Sequence, residues 1–247
     1  MQLSFMKIEN SANSSLKKYL SGILGIFFVY FIFVILLHKL TFWLPPVFLN
    51  LLKNIEMAYF LSNLVVDPII WGSIIIVLTL IGLRLCKLSV VEIGFNKETR
   101  LGKNIVGFVV GCGACFLLTM LFFQVQCKCL PSCSVSLNQI DFSSLRFVHM
   151  LIASMLIGPI LEEIFYRGFI QTALEKRFNF EYALLIPAVL FTISHAYKIT
   201  QWHNMLTYLI IGIIYGLLRR WDKSLFPAII AHICFNTISL IFTIACK

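Results

Sequence analysis

Charge is scarce in this sequence. Charged residues fill 13% of its 247 positions, against about 25% in a soluble domain. Hydrophobic residues fill 60%, and the mean hydropathy is +0.92. That composition excludes an ordinary soluble domain. It predicts an all-α, polytopic membrane helix bundle, because each span takes roughly 20 apolar residues and this length supplies about seven of them (six to eight). Acidic residues are the scarcer sign, 11 against 20 basic, for a net charge of +9. The basic residues lie between apolar runs and form no cluster on a soluble face, so they read as topology signal and lipid contact, with no nucleic-acid surface. No small-residue cleavage pattern follows the first apolar run, which begins near Leu20, so a retained first span is expected. Internal repeats are not visible. The local His-Glu-x-x-His zinc pattern is missing. No Ser or Cys stands beside a base as an obvious nucleophile; Ser194 precedes His195, but adjacent residues on a helix diverge.

What is present is ordered along the chain. Seven apolar segments can be drawn, at about 20–37, 66–85, 103–124, 146–170, 182–197, 205–218 and 224–245. Lys and Arg are biased to the side of the N-terminus, which places that end inside. Residues 1–144 are expected to supply three supporting spans and residues 145–247 the functional core, within a single membrane domain. The first three spans hold almost no ionisable group at depth; Asp67 lies at an edge, before Pro68. Cys127, Cys129 and Cys133 are placed in one outside loop. Their spacing matches no common zinc site, leaving a disulfide or simple loop residues. The other cysteines read as small apolar packing residues.

The densest polar signal is Gly158-Pro159-Ile160-Leu161-Glu162-Glu163-Ile164-Phe165-Tyr166-Arg167. A charge at bilayer depth costs at least about 2.5–3.5 kcal/mol, so three within six positions must pair, line a wet cavity or do chemistry. Glu163 and Arg167 are at i and i+4 and can pair. Glu162 points roughly 100° away from Glu163 and is left to face a cavity. Pro159, one turn earlier, frees a backbone carbonyl and opens space. A buried Glu–Arg strut alone would account for Glu163 and Arg167 and leave Glu162 unexplained. Two later spans carry matching groups: Phe191 to His195, and His232 to Asn236, again at i and i+4. At about 1.5 Å per residue, Glu162, His195 and Asn236 each lie roughly 18–23 Å from the inner surface, and His232 roughly 12 Å. His38, His149 and His203 lie near span ends or in loops and are assigned no role.

A carboxylate beside an imidazole can orient and deprotonate a water. An imidazole and a carboxamide can donate to the oxyanion of a tetrahedral intermediate. Together they suffice for peptide-bond hydrolysis. Glu162, His195 and His232 are also an acceptable zinc set, but Arg167 would place a cation nearby, so a metal-free site with no cofactor is the expectation and zinc the alternative.

Glu-Glu-x-x-x-Arg, Phe-x-x-x-His and His-x-x-x-Asn, in this order on separate helices, resemble the CPBP family of intramembrane proteases. That family includes the type II CAAX prenyl endopeptidases and bacterial proteins linked to bacteriocin self-immunity. The resemblance runs from about Leu145 to Ile241 and extends to Gly168-Phe169 and Ser224-Leu225-Phe226-Pro227. It implies a hydrolase with Glu162 as general base and Glu163 in support. Arg167 would orient the carboxylates, His195 help activate water, and His232 with Asn236 hold the oxyanion. It implies a membrane-embedded or membrane-associated peptide substrate and a bacterial cell membrane. Two other readings stay open: a non-catalytic bacteriocin-immunity or peptide-binding protein, and a proton-coupled transporter, against which the missing inverted repeat counts.

Overall fold

The structure is a computed structural model describing residues 2–95, 101–129, 145–195 and 202–245. Among these residues there is no strand, and the protein is a helical membrane bundle. The helices are α1 (Gln2–Leu52), α2 (Ile55–Leu64), α3 (Gly72–Cys86), α4 (Leu101–Cys129), α5 (Leu145–Met150), α6 (Gly158–Glu163), α7 (Thr172–Glu175), α8 (Phe180–Ser194), α9 (Trp202–Asp222) and α10 (Phe226–Ala245). Three π-helical segments join neighbours: Val65–Trp71 between α2 and α3, Leu151–Ile157 between α5 and α6, and Ile164–Gln171 between α6 and α7. Within the described residues, every predicted apolar segment is mostly helical. Among the described residues, four continuous stretches are long and apolar enough to cross a membrane: Tyr19–Leu40, Ile55–Cys86, Leu101–Leu118 and Phe147–Glu175.

The structure departs from the sequence reading in two places. Residues 38–65, drawn between spans, are almost wholly helical: α1 continues through Pro45 and Pro46 to Leu52, and α2 starts at Ile55. The chain reverses at Lys53, whose φ is 52°, and Asn54, whose side chain accepts from the Met57 N–H at 3.0 Å and caps α2. His38, Lys39 and the two prolines interrupt the apolar run and mask this helix in the pattern. Similarly, α4 carries Cys127 and Cys129 to its end rather than leaving them in a loop; Cys133 lies outside the described residues.

The stretch from α6 to α7 is the centre of the bundle. Residues 165–174 are all buried, the mark of a helix covered on every side. Tyr30 of α1 packs on Phe165 with ring centroids 4.8 Å apart, Phe191 of α8 meets Tyr166 at 5.4 Å, and Gly216 of α9 accepts from Gln171 Nε2 at 3.1 Å. The turn before α4 is tied down by Arg219 Nη2 donating to the Glu92 carbonyl at 2.7 Å and by a Lys176–Glu92 ion pair, also 2.7 Å. Lys176, with hydrogen bonds from Ser89, pulls the Glu92 carboxyl down to about 2. This tie is therefore complete above the ordinary carboxylate range and is lost as pH falls toward 2.

Helix α10 is set against α4 by small residues. A Cβ on Gly107 would stand 2.6 Å from the Pro227 carbonyl, and one on Gly111 would stand 2.4 Å from the Ala231 Cα. Cys115, one turn on, donates its thiol to the Phe235 carbonyl at 3.3 Å. In lipid, close packing of this kind takes the place of a hydrophobic drive between helices. Gly111→Val should therefore push α10 off α4, lowering both the amount of protein recovered in detergent and its melting temperature. Gly113→Val, where a Cβ meets nothing within 4 Å, should leave both near wild type.

Candidate active site

The site begins with a backbone irregularity. A Cβ on Gly158 would stand 2.9 Å from the Ala153 carbonyl, so only glycine lets the chain wind this closely. Pro159 then has no N–H to give. In the five-residue register of Leu151–Ile157, the carbonyl it fails to satisfy is that of Ser154. Asn236 Nδ2 donates to this oxygen at 3.0 Å. Asn236 thus closes the gap left by Pro159, with its second amide hydrogen still to place.

Four residues later the chain buries an ion pair completely. Arg167 Nη1 donates to Glu163 Oε1 at 2.9 Å, and both side chains have 0% exposure. Arg167 Nη2 donates to the Gly212 carbonyl of α9 at 3.0 Å. The guanidinium lies over the rings of Phe191, Tyr215 and Tyr166, at 4.7, 5.3 and 5.7 Å, which supplies cation–π attraction in a dry setting. Glu163 Oε1 also accepts from His232 Nδ1 at 2.9 Å. The carboxylate is shared between a guanidinium and an imidazole.

Glu162, one position earlier, faces a cavity of about 220 Å³. Its Oε2 lies 3.8 Å from His195 Nε2 and 3.8 Å from His232 Nε2, too far for direct hydrogen bonds. His195 ends α8, and its Nδ1 lies 2.8 Å from the Phe191 carbonyl. A carbonyl only accepts, so Nδ1 donates to it, which leaves Nε2 as the ring nitrogen on the side of Glu162. Two tyrosines of α9, seven residues apart, hold the imidazoles flat: Tyr208 stacks on His195 (4.4 Å, 21°) and Tyr215 on His232 (4.8 Å, 23°).

All six residues singled out in the sequence, Glu162, Glu163, Arg167, His195, His232 and Asn236, therefore meet in one place. His232 is as close to Glu162 as His195 is, although the residue count put it shallower. His38, given no role, lines the cavity, while His149 does not; the His203 side chain lies outside the described residues. Sequence reasoning missed Tyr208 and Tyr215. Their spacing of two helical turns, on the helix preceding His232, was the available signal. It also missed the α1 residues Tyr30, Val34 and Leu37, which line the cavity and carry no motif. Among the described residues no three His, Cys, Asp or Glu side chains form a group that could hold a metal ion.

Residues 144–238 match the family model for the type II CAAX prenyl endopeptidase, Rce1-like. The match is confined to the C-terminal part of the chain and covers less than half of it. All six site residues fall inside the matched stretch. A 92-residue stretch is 38% identical to a protein of Bacillus subtilis (strain 168) named "Putative membrane peptidase YdiL", covering 37% of this chain and 36% of that protein. The chain thus matches about a third of this curated relative. No solved structure matches it.

Removing one partner of a buried ion pair costs about 3–5 kcal/mol, whereas replacing both by apolar groups can be nearly neutral. Arg167→Met alone should therefore lower thermal stability in detergent strongly. The double variant Glu163→Leu/Arg167→Met should recover part of the loss. Equal melting temperatures for the two would show that the pair is not coupled.

Proposed function

We propose that this protein is an intramembrane endopeptidase whose attacking water is held by Glu162 and His195. The observation that carries the reading is the position of Glu162 Oε2, 3.8 Å from each of two imidazole Nε2 atoms at the wall of a cavity inside an apolar bundle. A water seated beside that line can touch the carboxylate and the His195 lone pair together. Glu162 takes its proton as the water oxygen attacks the peptide carbonyl, and later gives that proton to the leaving amine. The oxygen left negative is met by His232 and Asn236. With Nδ1–H committed to Glu163, His232 donates from Nε2 when that nitrogen also carries a proton. Asn236 donates its second amide hydrogen. Such donors, fixed before the reaction in a site shielded from water, are worth most. Glu163 and Arg167 do not touch the substrate in this scheme; they fix the His232 ring. The match to a CAAX-type endopeptidase family supports the reaction class, and the buried position of the site supports a membrane-embedded or membrane-associated substrate. No step requires a metal or a cofactor.

The deciding comparison is between cells carrying wild-type protein and cells carrying Glu162→Gln at matched levels. Defined peptide termini are expected in the membrane and secreted fractions of the first and not of the second. With purified protein in lipid vesicles, cleavage should fall at least about 10²-fold in Glu162→Gln and persist after treatment with a zinc chelator. Identical peptide sets from the two strains would sink the endopeptidase reading; loss of cleavage on chelation would sink the metal-free mechanism.

A further inference from the structure

The cavity has two unlike sides. Its chemical side comes from α6, α8 and α10. The facing side comes from the N-terminal half of the chain, through Val34 and Leu37 of α1 and Val66, Pro68 and Trp71 of the π-helical segment. On α1, Tyr30, Val34 and Leu37 follow one face and are 3%, 8% and 5% exposed, so this face looks inward while its opposite, with Phe28, Ile32 and Leu36, looks out. In the segment 65–71 the widened register brings Val66 and Trp71, five residues apart, to one side. Among the described residues lining the cavity, Glu162 is the one carboxylate, and there is no lysine or arginine. The Tyr30 hydroxyl and the His38 imidazole also line this side, and among its described side chains no carboxylate, lysine or arginine stands ready to pair with a charged substrate group.

Volume narrows the occupant further. An engineered apolar cavity of about 150 Å³ holds a benzene molecule. At about 220 Å³, the present cavity has room for one aromatic or large branched side chain with the adjoining peptide group. A long lipid chain would have to extend beyond this volume. None of these five facing residues lies within the matched region 144–238.

We propose that α1 and Val65–Trp71 form the substrate-selecting subsite, which accepts one bulky uncharged apolar side chain next to the scissile bond of a membrane-embedded peptide. This rests on the endopeptidase reading. Val34→Phe would fill the subsite and Trp71→Ala would enlarge it. A panel of otherwise identical apolar peptides, carrying Ala, Leu, Phe, Asp, Lys or an S-alkylated cysteine with a long chain at one position, should be offered to the protein in vesicles. Wild type should favour Leu and Phe over Ala, Asp and Lys by at least about tenfold in kcat/KM, the scale of discrimination by an apolar pocket. Val34→Phe should shift the preference toward Ala, and Trp71→Ala should shift it from Leu toward Phe. Preference for a charged residue or the long alkyl chain, or an unchanged order in both variants while cleavage continues, would overturn the proposal. A second measurement does not depend on catalysis. A peptide with a benzophenone side chain at the same position, irradiated with the Glu162→Gln protein in vesicles, should crosslink to residues 30–38 and 66–71. Crosslinks confined to other segments would overturn the subsite. If wild type cuts none of the panel, the endopeptidase reading falls, and the crosslink map alone decides whether the subsite stands.

Discussion

The fully buried guanidinium of Arg167 is the constraint that organises this bundle. A cation without access to water must be compensated from all sides, and here the compensation comes from several helices at once. Glu163 of α6 supplies the counter-charge, the Gly212 carbonyl of α9 accepts a second bond, and Phe191 of α8 and Tyr215 of α9 present ring faces. His232 of α10 joins through the same carboxylate oxygen. Moving any of these helices would strip a partner from a charge that has no water to replace it. The position of the catalytic candidates follows from that restriction: Glu163 Oε1 is held by Arg167 and His232 inside the bundle, so the adjacent Glu162 is the carboxylate left at the cavity wall.

A second restriction acts through the backbone. Gly158 and Pro159 break the regular winding just before the carboxylates, and the carbonyl thereby orphaned is taken up by Asn236 from α10. Asn236 and His232 thus fasten α10 to the central helix at two points, while Gly107 and Gly111 fix its other side against α4. One side chain, Asn236, serves both a structural bond and the proposed oxyanion contact, because an amide nitrogen carries two hydrogens. Loss of Asn236 would then combine a positional and a chemical effect, and the two separate only if stability and kcat are measured together.

Much of this was legible in the sequence because charge in an apolar run is improbable without a reason. The Glu163–Arg167 pair follows from i, i+4 spacing, and the meeting of three helices follows from counting residues from one surface. The hidden parts were of a different kind. The stacking of Tyr208 and Tyr215 on the two imidazoles is a tertiary relation between residues that look, one at a time, like ordinary core aromatics. The Ser154–Asn236 bond depends on a local change of helical register that composition does not encode. The helix through residues 38–52 was concealed by two prolines and a histidine–lysine pair, which normally mark an end.

The uneven legibility of the two halves has a physical cause. The residues around Glu162 must satisfy charges and hydrogen bonds of fixed geometry, so few residue types will do and they stand out as motifs. The residues of α1 and the segment 65–71 that face them need only be apolar and of the right size. Many residues meet that requirement, and in a membrane protein the lipid-facing side of the same helix meets it too. Period and composition therefore cannot separate the inward face of α1 from its outward face; only the packing of Tyr30 on Phe165 and the lining of the cavity do so. What reads as a supporting wall in the sequence is, in the folded bundle, one side of the site.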